Sequence, residues 1–131
     1  MSAYGRTVRS RSRGLDLDGK RVLIVEDDYV TAQGLSDAIA DNGFTVVGPV
    51  DTADRAVRLI GREPPDGALL DVRLRKGSSV EVAKALQERG VPFVVMSGYS
   101  RDTLPPELKD APFIAKPMSE SELIDTARST F

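Results

Sequence analysis

Arg21-Val22-Leu23-Ile24-Val25-Glu26-Asp27-Asp28 is the stretch that decides the fold, because a short apolar run stops abruptly in three acids. A run this short and this rich in branched aliphatics, bounded by polar residues, reads as a buried strand. The same grammar recurs downstream. Ala68-Leu69-Leu70 ends in Asp71, Phe93-Val94-Val95-Met96 ends in Ser97, and Phe113-Ile114-Ala115 ends in Lys116-Pro117. In an open parallel sheet, ligands bind in the crevice beyond the carboxyl ends of the strands, so residues distant in sequence meet there. Carboxylates, a hydroxyl and an ammonium gathered in one crevice point to phosphoryl transfer. Crowded carboxylates repel one another unless a hard cation intervenes, and Mg²⁺ takes such oxygens together with phosphate and water. The sequence therefore implies a metal.

Between the strand-like runs lie longer stretches of helical period, the alternation of repeated βα units. Five repeats are expected. The first strand covers about 21–26, followed by a helix from Tyr29 to Asn42 with Val30, Leu35, Ala38 and Ile39 on one face and Gly43 as its stop. Thr45 to Gly48 forms the second strand. Thr52 or Asp51 caps a helix whose Ala56, Val57, Leu59 and Ile60 face inward, before Pro64-Pro65 ends it. Gly67 to Leu70 is the third strand. Ser78 or Ser79 then starts a helix carrying Val80, Val82, Ala83 and Leu86, and Val91 to Met96 is the fourth strand. Pro105-Pro106 leaves room only for a short or irregular fourth helix around Glu107 to Lys109. Pro112 to Ala115 is the last strand, and Ser119 with Glu122 stands at capping-box spacing for the final helix, which turns Leu123, Ile124 and Ala127 inward.

The chain's 131 residues suit one domain, and its 40% apolar and 29% charged content is ordinary for a globular protein. The net charge of -2 selects no partner. It hides an asymmetry, because Arg6, Arg9, Arg11 and Arg13 carry four of the 18 basic charges and leave 14 against 20 acids in the rest. Residues 1–19 therefore read as a flexible Arg-rich tail and 20–131 as the folded domain. The tail resembles neither a secretory signal nor a membrane anchor, and a short basic run is usually solvated. No apolar run is long enough to span a bilayer. The absence of cysteine excludes disulfides and thiolate chemistry and is consistent with a cytoplasmic protein. The absence of histidine excludes a Ser-His-Asp triad, an imidazole zinc site and a phosphohistidine on this chain.

Singly, each site residue has a plainer reading. Glu26-Asp27-Asp28 could cap a helix, Asp71 could sit in a turn, Ser97 could be a cap, Lys116 a solvated charge and Phe113 ordinary core. Jointly, in this order at strand ends, they resemble the receiver domain of two-component response regulators over about residues 20–130. The resemblance implies an α/β, doubly wound (βα)5 three-layer sandwich of flavodoxin-like type with parallel sheet order 2-1-3-4-5. It implies Asp71 as phosphoacceptor from a sensor histidine kinase or phosphotransfer protein, with Mg²⁺ held by Glu26, Asp27, Asp71 and the backbone carbonyl of Arg73. Lys116, joined to Pro117 by a cis bond, is implied as the phosphoryl's counter-ion. Ser97 and Phe113 are implied as the switch pair, coupled to a face of fourth helix, fifth strand and fifth helix that could also form a homodimer.

The chain departs from the family's usual pattern. Arg75 and Ser79 stand where proline and glycine are common, with Gly77 between them, so an unusual path is expected for the loop 72–79. Arg73 and Tyr99, two residues beyond Asp71 and Ser97, are large at positions that tune phosphoryl lifetime, and slow hydrolysis is expected. Serine replaces the commoner threonine at 97 and phenylalanine the commoner tyrosine at 113, while Ser97-Gly98-Tyr99 resembles stand-alone alphaproteobacterial receivers. The leading expectation is a single-domain, phosphorylation-controlled binding module acting on a downstream protein, and not an enzyme beyond its own phosphorylation and dephosphorylation. Alternatives are a phosphate-independent adaptor, and a magnesium phosphatase using Glu26 and Asp28, in which glutamate would replace the required aspartate. Direct nucleic-acid binding is not expected, because the arginines outside the tail are scattered among acids.

Overall fold

A computed structural model describes residues 19–131, so the Arg-rich tail lies outside the described residues except for Gly19. Five strands, β1 (Arg21–Val25), β2 (Thr45–Val50), β3 (Gly67–Asp71), β4 (Phe93–Ser97) and β5 (Phe113–Ala115), form one parallel sheet of order β2-β1-β3-β4-β5. Four α-helices cover it: α1 (Tyr29–Asp41), α2 (Ala53–Arg62), α3 (Ser79–Glu88) and α4 (Glu120–Thr130). Each helix starts at a polar cap foreshadowed by the sequence. Asp28, Thr52, Ser78 and Ser119 accept the N–H groups of Thr31, Arg55, Val80 and Glu122, respectively.

Strand alternation divides the core into two layers. Leu23, Val25, Leu70 and Val95 pack with Ile60 of α2 and Leu86 of α3. On the other face, Val22, Ile24, Leu69 and Val94 pack with Ile39 of α1 and Ile124 of α4. Because both faces are covered, β3 and β4 are buried throughout. Their last residues, Asp71 and Ser97, are therefore held at the top of a rigid sheet.

Several element readings change. The fourth helix, expected to be short or irregular around Glu107 to Lys109, is a pair of 3₁₀ turns, Arg101–Thr103 and Pro106–Leu108. Pro105 and Pro106 lack the N–H groups that an α-helix would need there, and Leu104 and Leu108 instead insert into the core. The architecture is thus a (βα)5 scheme with one helix reduced to turns. β2 continues past Gly48-Pro49 to Val50, because an edge strand tolerates proline at a bulge. Between paired positions Leu23–Val47 and Val25–Val50, β2 takes one residue more than β1. Gly48 has φ +88°, and a Cβ there would lie 2.9 Å from the Val50 nitrogen. Val30 does not share the inward face of α1 and is 77% exposed. It precedes the stripe set by Ala32, Leu35, Ala38 and Ile39, which obeys the 3.6-residue period without it. Val57 likewise sits at the rim of α2's buried face. β1 stops one residue short of its expected end, and β4 starts at Phe93 rather than Val91.

Candidate functional site

Glu26 follows β1 directly, and its N–H donates to the Val50 carbonyl at 3.0 Å, which fixes the acidic loop to the sheet edge. The Glu26 carboxylate is buried with both oxygens engaged. Oε1 accepts from Lys116 Nζ at 2.6 Å, and Oε2 accepts the Asp28 N–H at 3.1 Å. Lys116 Nζ also lies 3.3 Å from Asp71 Oδ2, while Asp71 Oδ1 accepts the Arg73 N–H at 3.1 Å. Oxygens of Glu26, Asp27 and Asp71 all lie within 4.8 Å of one another. Three carboxylates at this separation, one of them already neutralised by lysine, fit the oxygen-only donor set that a hard dication prefers.

The electrostatics follow from this crowding. Burial pushes the Asp71 carboxyl up to about 6, with the Glu26 carboxylate adding to the rise and the Arg73 N–H and Lys116 opposing it. Asp71 is still mostly ionised at neutral pH. Burial alone would lower the Lys116 ammonium, but Glu26 and Asp71 together outweigh it and raise the group above its ordinary value. The ammonium is therefore a permanent charge.

Ser97 is buried beside this cluster, because β4 pairs Met96 with Asp71 and so places the next residue at the crevice floor. Its Oγ accepts the Tyr99 N–H at 2.9 Å, and its carbonyl accepts the Lys116 N–H at 2.8 Å. The Lys116-Pro117 bond is cis, as the resemblance implied. Phe113 is half-buried on β5, facing away from the carboxylates and under the Arg101 guanidinium, whose carbon lies 5.2 Å from the ring centroid. The structure thus brings Glu26, Asp27, Asp71, Lys116 and Ser97 to one end of the sheet, with Phe113 two residues back along β5.

Three contacts were not legible in the sequence. Arg73 stacks on Tyr99 at 4.4 Å from its ring centroid, joining the two large residues that flank the crevice. Arg101 donates to the Lys109 and Ala111 carbonyls at 2.7 and 3.1 Å as well as covering Phe113. Arg75 pairs with Asp27: its N–H donates to Oδ2 at 2.7 Å, and its Nε lies 3.4 Å from the same oxygen. The only available signal for these was the presence of three arginines in loops next to site residues. A groove of about 520 Å³ lies between α1 and α4, with Lys116 among its lining residues.

The family model of the response regulator receiver domain matches residues 22–128. The chain is a member of that family. Among curated relatives, the receiver is 28% identical over 109 residues to the transcriptional regulatory protein PdtaR of Mycobacterium tuberculosis, covering 80% of this chain and 53% of that one. It is 33% identical over 86 residues to the transcriptional regulatory protein YdfI of Bacillus subtilis, covering 64% and 40%. The chain thus spans about half the length, or less, of these curated relatives. A CheY-like receiver domain from Methylobacillus flagellatus superimposes with a TM-score of 0.74 at 23% identity, over 86% of this chain and 98% of that one, and shares the fold. Among the described residues, no helix of the receiver is long and apolar enough to cross a membrane.

Proposed function

We propose that this receiver takes a phosphoryl group onto Asp71 from the phosphohistidine of a sensor kinase or phosphotransfer protein, and that the modified domain changes its affinity for a downstream protein. The observation that carries this reading is the Glu26–Lys116–Asp71 arrangement, in which one half-buried ammonium bridges two buried acids, one at the end of β1 and one at the end of β3. An adaptor that had ceased to use its pocket would have no need to bury such charges, which cost desolvation energy. The phosphatase alternative places its nucleophile at Glu26, yet both oxygens of that group are occupied.

In the proposed reaction, an ionised Asp71 oxygen attacks phosphorus in line, an O–P bond forms, the P–N bond of the donor breaks, and its electron pair returns to the imidazole. Arg73 N–H orients the nucleophile by holding Asp71 Oδ1. Lys116 provides a fixed positive charge beside Oδ2, where negative charge accumulates on the transferred group. Asp27, Asp71 and Glu26, with the backbone carbonyl of Arg73, would hold Mg²⁺, which when bound neutralises phosphoryl oxygens. Ser97 Oγ accepts the Tyr99 N–H and keeps its own O–H to donate to the new phosphoryl group. Movement there reaches Phe113 through β4 and β5, which pair at Ser97–Ala115 and Val95–Phe113. The donor docks over the groove between α1 and α4, whose lining includes Lys116. The output face consists of β5, α4 and the two 3₁₀ turns, and is also the candidate homodimer surface. The protein works in the cytoplasm, without direct nucleic-acid contact.

Beryllofluoride, which stands in for the phosphoryl group on an aspartate, tests this without a known kinase. Amide NMR spectra in Mg²⁺ are expected to show saturable shifts from Asp71 through Ser97 to Phe113 in wild type and none in Asp71→Asn. Shifts absent from wild type would favour the phosphate-independent adaptor.

A further inference from the structure

The Arg75–Asp27 contact joins the acidic loop after β1 to the loop after β3, 48 residues later, and it has three parts. The Arg75 N–H donates to Asp27 Oδ2 at 2.7 Å, Nε approaches the same oxygen at 3.4 Å, and Nη2 donates to the Asp27 carbonyl at 3.1 Å. The first part exists only because residue 75 is not proline, the one residue type without an N–H. The partners differ in environment: the Asp27 side chain is 14% exposed and the Arg75 side chain 77%. A largely buried carboxylate is therefore neutralised by a cation that can leave for solvent. The loop has a second anchor at Lys76-Gly77, where the Lys76 carbonyl accepts the Ala53 N–H at 3.2 Å. Gly77, at φ +86°, fits because a Cβ would lie 2.5 Å from the Ala53 side chain.

We infer that Arg75 is a built-in counter-ion of Asp27 which Mg²⁺ must displace, so that this residue sets the metal affinity of the pocket. The inference rests on the metal site proposed above. The Oδ2 atom already accepts the Arg75 N–H and lies beside its guanidinium, and a dication coordinating it repels that guanidinium and competes for its lone pairs. Metal binding thus frees the Arg75 side chain into solvent, while the Ala53 anchor and the Arg73 carbonyl keep the loop in place. Since exposed ion pairs are weak, the competition is worth roughly a two- to five-fold factor in metal affinity.

The test is calorimetric Mg²⁺ titration of wild type, Arg75→Ala, Lys76→Ala and Asp27→Asn, with the residue 75 amide followed by NMR. Lys76 is the control cation, since among the described residues it pairs with no carboxylate. The expected result is roughly two- to five-fold tighter binding for Arg75→Ala, little change for Lys76→Ala, and a wild-type residue 75 amide that shifts with saturation. Binding by Arg75→Ala alone would support the inference more strongly. Wild-type binding that is lost in Asp27→Asn but unchanged in Arg75→Ala, or tightened equally by Lys76→Ala, would overturn the inference and leave the metal site standing. No Mg²⁺ binding by either wild type or Arg75→Ala would overturn both.

Discussion

The strand-end pocket and the turn segment that stands in place of a fourth α-helix are built from different materials. At the carboxylate pocket, buried charges stand on strand ends whose positions are fixed by sheet register, and each is held by a specific partner. In the segment Ser100–Ala111, two leucines and one arginine hold a pair of 3₁₀ turns against the sheet. The pocket is costly to disturb because an unmatched buried charge has nowhere to go. The turn segment has only short-range hydrogen bonds and few apolar anchors, the features of a region that opens locally. A receiver assembled this way has a rigid strand-end pocket beside a segment that can rearrange locally.

Removing Lys116 should break the rigid end most severely. Lys116→Met leaves Glu26 buried without an ammonium, and a loss of about 3 kcal/mol is expected in urea unfolding. Adding Glu26→Gln should recover part of that loss, and a double mutant no more stable than Lys116→Met alone would contradict the pairing. At the other end, Leu108→Ala should cost about 2–3 kcal/mol through a core cavity. Its amide exchange should quicken chiefly in 100–111, with the strand ends of β1 and β3 still protected.

Asp71 sharpens the contrast through pH. Its carboxyl is raised to about 6 from 3.8, so between those values the folded protein holds more proton than the unfolded chain. Stability from this group is complete below about pH 4 and declines as pH rises through about 6. Asp71→Asn is expected to flatten that slope in metal-free buffer and to be more stable than wild type at pH 7 by about 1–2 kcal/mol. Equal stabilities at pH 5 and pH 7 in wild type would contradict the assigned environment. The smallest effect belongs to Arg101→Ala, which loses two carbonyl contacts and the ring of Phe113 for about 1 kcal/mol. Its sign of success is a change in the Phe113 ring resonances without change at Glu26 or Lys116.

The same division explains what the sequence disclosed. Strands ending in Asp71, Ser97 and Lys116 were legible because buried parallel strands are continuous apolar runs, and the first polar residue after each marks the crevice. The caps at Asp28, Thr52, Ser78 and Ser119 were legible because capping is local. The inward placing of Val30 failed because one valine at a helix start does not define a face. Gly48-Pro49 was read as a strand end, yet the bulge at an edge strand absorbs both residues. Arg75 meeting Asp27 depends on the path of a loop far away in sequence, and no local pattern encodes that.

The most direct test of the central claim is intact-protein mass spectrometry after incubation with acetyl phosphate and Mg²⁺. The account predicts a gain of one phosphoryl group in wild type, labile to hydroxylamine as an acyl phosphate is, and no gain in Asp71→Asn. An unmodified wild type, or the same gain in Asp71→Asn, would contradict it.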